Sequence, residues 1–118
     1  MQRLAVCAIE DLPPGSMKLV QAGKFGVGVY NIDGSLYAIA NYCAHEGAPL
    51  CAGYVGGANE FDPDVPGQVR QTRVGRIARC PWHLWEFDIT TGFNLADPAK
   101  RVRTYEVDVV DGHVFLTA

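Results

Sequence analysis

The chain is predicted to be all-β, with antiparallel sheets arranged as a sandwich or small barrel, on three observations. Short runs of strand-type residues recur between turn signals at close intervals. Two of those turns are Asp-Gly pairs between apolar runs, the signature of a type I′ hairpin. No stretch holds a 3.6-residue apolar period over any length, so helices are expected to be few and short.

Taken in order, residues 3 to 9 and 17 to 22 are candidate strands, separated by "DLPPGS". "FGVGVYNIDGSLYAIANY" alternates small and apolar residues about Asp33-Gly34 and is predicted to be a hairpin. "GKFGVG" at 23 to 28 has the wrong glycine order for a nucleotide-binding turn and no helix pattern after it, so it is read as a strand bend. Residues 53 to 73, "GYVGGANEFDPDVPGQVRQTR", are polar and rich in Gly and Pro, and are expected to form a long loop. Val74 to Ala78 leads towards Cys80, "WEFDITTG" is a strand ending in a turn, and "RTYEVDVVDGHVFL" is a second hairpin about Asp111-Gly112.

The length of 118 residues suits one domain, residues 1–118. A net charge of −3, with no basic run, argues against a nucleic-acid binder. The apolar run at the N-terminus stops at Glu10 and Asp11, too short for a signal-peptide core. No segment approaches the roughly 20 apolar residues that cross a bilayer. A cytoplasmic protein is expected, and in a reducing compartment its four cysteines are better read as ligands or buried thiols than as disulfides.

Two of the cysteines are paired with histidines. "CAHEGAPL" holds Cys43 and His45, and "CPWHLWEF" holds Cys80 and His83, giving C-x-H and C-x-x-H separated by 34 residues. A zinc ion held by two cysteines and two histidines is one reading. The spacing fits it poorly, because structural zinc sites usually take a cysteine pair from one loop. A [2Fe-2S] cluster fits better: if each loop reaches both metals, the thiolates serve one iron and the imidazoles the other. Two ferric ions and two sulfides leave two positive charges, which two thiolates cancel and neutral imidazoles leave unchanged. An electron is then accepted more readily than by an all-cysteine cluster, within a window of about −150 to +300 mV.

With these residues in view, the sequence resembles the Rieske iron–sulfur proteins, most closely the soluble Rieske-type ferredoxins. The resemblance runs through "CAHEGAPL", "CAG", "CPWHLWEFDITTG" and "LADPAKRVRTYEVDVVDGHV". It implies a Rieske-type fold whose cluster-binding subdomain is formed by two loops, within about residues 41–98, with a long insertion at about 54–73. By the same resemblance Cys43 and Cys80 hold the inner iron, His45 and His83 hold the outer one, and Pro98 belongs to a loop covering the cluster. The implied role is a one-electron carrier that takes electrons from a ferredoxin reductase and passes them to a terminal oxygenase, with the histidine edges as the port.

The departures carry information too. Ala48 and Trp82 stand where the respiratory branch has a disulfide, so none can form here. Trp85 and Phe87 stand where that branch has a serine and a tyrosine donating to the cluster sulfurs. Fewer donors predict a potential at the low end of the window, roughly −150 mV. Leu84 replaces a frequent glycine, which implies either a different loop backbone or an exposed apolar residue for docking a partner. The 54–73 insertion is either a surface excursion or a partner-selecting element.

Outside this set, Cys7 is expected to be a buried inert thiol and His113 a solvated side chain. Cys51 is read as packing near the cluster loop, with a spare ligand or oxidation target as the alternative. Glu60, Asp62 and Asp64 complete no calcium loop. Trp82 and Trp85 are either core aromatics or shields for the cluster. A self-contained oxygenase is rejected, since its mononuclear iron needs two more histidines and only His113 is left. The remaining alternatives are the small Rieske subunit of a larger reductase, such as nitrite reductase, and a zinc-bound structural module.

Overall fold

The structure is a computed structural model, and it describes residues 2–42, 49–52, 54–61, 64, 66–80 and 85–118. Cys43, His45, Ala48, Trp82, His83 and Leu84, all singled out by the sequence, lie outside the described residues.

Nine strands are described: β1 (Arg3–Ala8), β2 (Met17–Val20), β3 (Val27–Ile32), β4 (Ser35–Ala40), β5 (Tyr54–Phe61), β6 (Val69–Arg79), β7 (Glu86–Asp88), β8 (Thr104–Val110) and β9 (His113–Thr117). The described helix amounts to two three-residue 3₁₀ turns, Ile9–Asp11 and Leu50–Ala52. Six strands form one antiparallel sheet in the order β1-β9-β8-β4-β3-β2, and β5-β6-β7 form a second. The all-β expectation holds.

Both Asp-Gly turns are as the sequence predicts. Asp33 and Gly34 have φ of +53° and +94°, and Asp111 and Gly112 have +52° and +75°. Two successive positive φ values define the type I′ turn, whose twist matches that of the flanking strands. The bend in "GKFGVG" falls at Gly26, with φ of +88°, just ahead of β3.

Strands β3 and β4 form a wall between two cores. Val27 and Val29 of β3, with Ala38 of β4, pack against Leu12, Val114 and Leu116. Tyr30 of β3 and Ile39 of β4 point the other way, into a core with Leu50, Cys51, Ala78, Cys80, Phe87, Ile89 and Val102. Successive strand residues face opposite sides, so a strand buried on both must be apolar or small throughout. The alternation of small and apolar residues in this hairpin has that cause. At Gly28 a Cβ would lie 2.5 Å from the Cys51 sulfur, so glycine lets the Leu50–Ala52 turn approach the sheet.

The expectation of a long loop at 53–73 is corrected. Tyr54–Phe61 and Val69–Arg79 pair antiparallel, from Tyr54↔Arg79 to Phe61↔Val69, as an extended hairpin. The register shifts between Gly56 and Ala58, opposite the part of β6 holding Gly75, whose φ is +76°. The extra residues of this irregularity lie in β6, where Arg73–Arg76 face the single Gly57 of β5.

Candidate metal centre

The structure fixes the necks of both Cys–His segments. The first leaves the sheet at Asn41, just past β4. The Asn41 backbone N–H donates to the Gly26 carbonyl at 3.0 Å, and its side-chain Nδ2 donates to the Phe25 carbonyl at 3.1 Å. Its Oδ1 accepts from the Cys51 backbone N–H at 2.8 Å, where the chain returns. Leu50 and Cys51 then drop into the core, 1% and 4% exposed.

The second segment is closed by the last pair of the β6–β7 ladder, Arg79↔Glu86. Both Nε and Nη2 of Arg79 donate to Glu86 Oε2, at 3.1 and 2.7 Å, and the Cys80 N–H donates to the Trp85 carbonyl at 2.8 Å. Cys80 is 1% exposed and shares its core with Leu50 and Cys51. Residues next to the two segments' necks therefore meet in one core, although 29 positions separate Cys51 from Cys80.

Beyond β7, the chain folds back along it. Asp88 N–H donates to the Phe93 carbonyl at 2.9 Å and Leu95 N–H to the Glu86 carbonyl at 3.0 Å. Asn94 Oδ1 accepts from the N–H groups of Ala96 and Asp97 at 2.8 and 3.0 Å, shaping the exposed turn that carries Pro98. The buried Asp88 carboxylate accepts from Thr90 N–H and Oγ1 at 2.9 and 2.6 Å, which fixes the "DITTG" turn.

Cys80 carries the test of fit for a metal group. Its sulfur is fully buried at the end of a paired strand, and no described group hydrogen-bonds it, which leaves a soft donor free to bind a soft metal. Cys51 differs. Burial pushes its thiol above the ordinary value, and it packs on Gly28 and Tyr30, as the packing reading expects. Burial likewise pushes the Tyr30 phenol up, and its hydroxyl has no hydrogen-bond partner of ordinary geometry among the described residues.

The plain readings of other residues also find their places. Cys7 is half-buried rather than fully buried, at the margin of the Val27–Leu116 core. His113 is exposed, 3.2 Å from the Asp111 carbonyl. Trp85 is half-buried against the core that holds Cys80, and Phe87 is wholly within it. Asn41 was not legible as a site residue, and an asparagine two positions before the first cysteine of a Cys–His pair, at a strand end, is its one sequence signal.

An all-β domain whose core gathers the described residues flanking two Cys–His segments has the makings of an iron–sulfur protein of Rieske type. The Rieske [2Fe-2S] domain model matches residues 2–106, so the chain belongs to that family and its cofactor is one [2Fe-2S] cluster. Its relatives are electron carriers. The chain is 28% identical to the 3-phenylpropionate/cinnamic acid dioxygenase ferredoxin subunit of Photorhabdus laumondii, over 99% of this chain and 95% of that one. It is 28% identical to the ferredoxin component of the naphthalene 1,2-dioxygenase/salicylate 5-hydroxylase systems of a Ralstonia species, over 95% and 90%. Among solved structures, the Sphingomonas yanoikuyae B1 ferredoxin is 29% identical, with a TM-score of 0.70 over 99% of both chains. A chain from the complex of oxygenase and ferredoxin in carbazole 1,9a-dioxygenase is 27% identical, with a TM-score of 0.73 over 98% and 92%.

Proposed function

We propose that this ferredoxin carries single electrons from a reductase to a terminal, aromatic-ring-hydroxylating oxygenase, with Cys43, His45, Cys80 and His83 as its cluster ligands. The observation that carries the reading is the common core beneath the two necks, which brings residues adjoining the two segments together around the buried Cys80, whose sulfur has no hydrogen-bond partner among the described residues. The relatives' roles in dioxygenase systems support the choice of partners.

When bound, the cluster supplies a one-electron couple. The chain's own residues do the rest. Cys80 presents its sulfur from a dry core, and Phe87 and Ile89 keep water from that side. The Arg79–Glu86 pair and the Asn41 bonds hold the necks, and the Pro98 turn is tied to β7 beside the second one. The cluster-binding part is about residues 41–98, with an insertion at about 54–73 that falls within the β5–β6 hairpin. The chain has no catalytic iron site of its own in this reading, since the exposed His113 is the one histidine outside the proposed cluster ligands. Among the described residues no helix is long and apolar enough to cross a membrane, in keeping with a cytoplasmic carrier.

Protein-film voltammetry tests the role. A freely diffusing carrier of this kind gives a reversible one-electron couple near the low end of the Rieske window, roughly −150 mV, because Trp85 and Phe87 bring no hydroxyl to the sulfurs. A couple well above zero would overturn that account of the potential. Purification from the native cell in a stable stoichiometric complex would favour a reductase subunit over a free carrier.

A further inference from the structure

We propose that Asn41 is the positioning residue of the first ligand segment: its one side chain clamps the neck from which Cys43 and His45 are presented. The inference rests on the ligand assignment above and goes beyond it to a residue that is no ligand.

Asn41 bonds three ways. Its backbone N–H reaches the Gly26 carbonyl, its Nδ2 the Phe25 carbonyl, and its Oδ1 the Cys51 N–H, all between 2.8 and 3.1 Å. The last bond joins the outgoing chain to the returning one, across the nine residues between Asn41 and Cys51. The other two fasten that neck to the turn ahead of β3. That turn is a firm anchor: Gly26 has φ of +88°, and a Cβ there would meet the Val20 carbonyl at 3.1 Å.

The side chain suits the task on chemical grounds. A carboxamide offers a donor and an acceptor from one planar group. Aspartate would keep the acceptor for Cys51 and lose the donor to Phe25. Alanine would lose both, leaving the Cys51 N–H without its partner beside a buried thiol.

Position separates this role from general stability. Asn41 is only half-buried and belongs to neither apolar core, so its replacement removes no core packing. What its removal frees is the separation between the points where the segment departs and returns, and with it the placement of Cys43 and His45 relative to Cys80. A cluster bound across two segments is sensitive to that separation, because it is held only while both supply their ligands together.

The test compares holo wild type, Asn41→Ala and Asn41→Asp. The readouts are the rate of iron release to bathophenanthroline far below the melting temperature, and the linewidths of the reduced electron paramagnetic resonance spectrum. Asn41→Ala is expected to release iron about tenfold faster, with broadened lines from a spread of ligand geometries, as two bonds are lost. Asn41→Asp is expected to fall between Asn41→Ala and wild type. Wild-type release and linewidths in Asn41→Ala, with or without a lowered melting temperature, would overturn the proposal. If the alanine variant does not fold, Asn41→Asp decides alone: faster release supports the clamp, and an unchanged rate overturns it. A wild-type protein that binds no iron–sulfur cluster would remove the ligand assignment itself, and that result precedes any variant.

Discussion

The two cores on either side of the β3–β4 wall are built differently. One is aliphatic throughout: Leu12, Val27, Val29, Ala38, Val114 and Leu116 close on each other with no polar side chain among them. The other mixes Ile39, Leu50, Phe87 and Ile89 with two thiols and a phenol, and two hydrogen-bonded necks lie at its margin. The first is complete as a packed apolar core. The second contains a buried sulfur with no hydrogen-bond partner among the described residues, at the end of the strand that leads into the second Cys–His segment. The comparison teaches that one half of the domain is closed on itself, while the other packs the residues from which both Cys–His segments depart.

Replacing Cys80 should separate the halves most sharply. Cys80→Ala is expected to abolish iron and sulfide binding while the six-stranded sheet still folds, as read by metal analysis and circular dichroism. Retained stoichiometric iron would break the comparison. The converse variant, Leu116→Ala, opens the aliphatic core at a fully buried position and should cost about 2–5 kcal/mol in urea unfolding. Its folded fraction should keep the wild-type spectrum of the reduced cluster.

A finer cut lies at the wall itself. Gly28→Ala would place a methyl 2.5 Å from the Cys51 sulfur, an overpacking that should cost about 1–3 kcal/mol. Adding Cys51→Ala should restore part of that loss, so the double-mutant cycle should show a favourable coupling. Additive effects would mean that the two residues do not meet in solution.

The smallest effect is one of pH. Cys51 and Tyr30 are both harder to ionise in the folded chain than unfolded, chiefly through burial. A folded-state value above the unfolded one means stability that is full below the ordinary thiol value of 9.0 and falls as pH rises beyond it. Urea midpoints measured in Cys51→Ala should therefore decline less between neutral and alkaline pH than those of wild type.

Much of this was legible in the sequence where the deciding residues are neighbours. Asp33-Gly34 and Asp111-Gly112 demand positive φ, and the structure supplies it at both. The Cys–His spacings pointed to a cluster because donor softness and charge are properties of the residues themselves. The β5–β6 hairpin was not legible. Its glycines and prolines read as loop, whereas pairing between its two arms sets its conformation, with the extra residues of an irregularity in β6 facing Gly57. Nor could Asn41 be found, since its partners Phe25 and Cys51 lie 16 and 10 positions away. The two-sided burial of β3 likewise depends on Leu50 and Cys51 returning beneath Gly28, a packing that no local pattern records.

The most direct test of the central claim is iron and acid-labile sulfide content, combined with electron paramagnetic resonance before and after dithionite. Ligation by Cys43, His45, Cys80 and His83 predicts two irons and two sulfides per chain. It also predicts a reduced signal whose average g lies below that of all-cysteine clusters. Stoichiometric zinc in freshly isolated protein, with no iron bound even after anaerobic reconstitution, would contradict it.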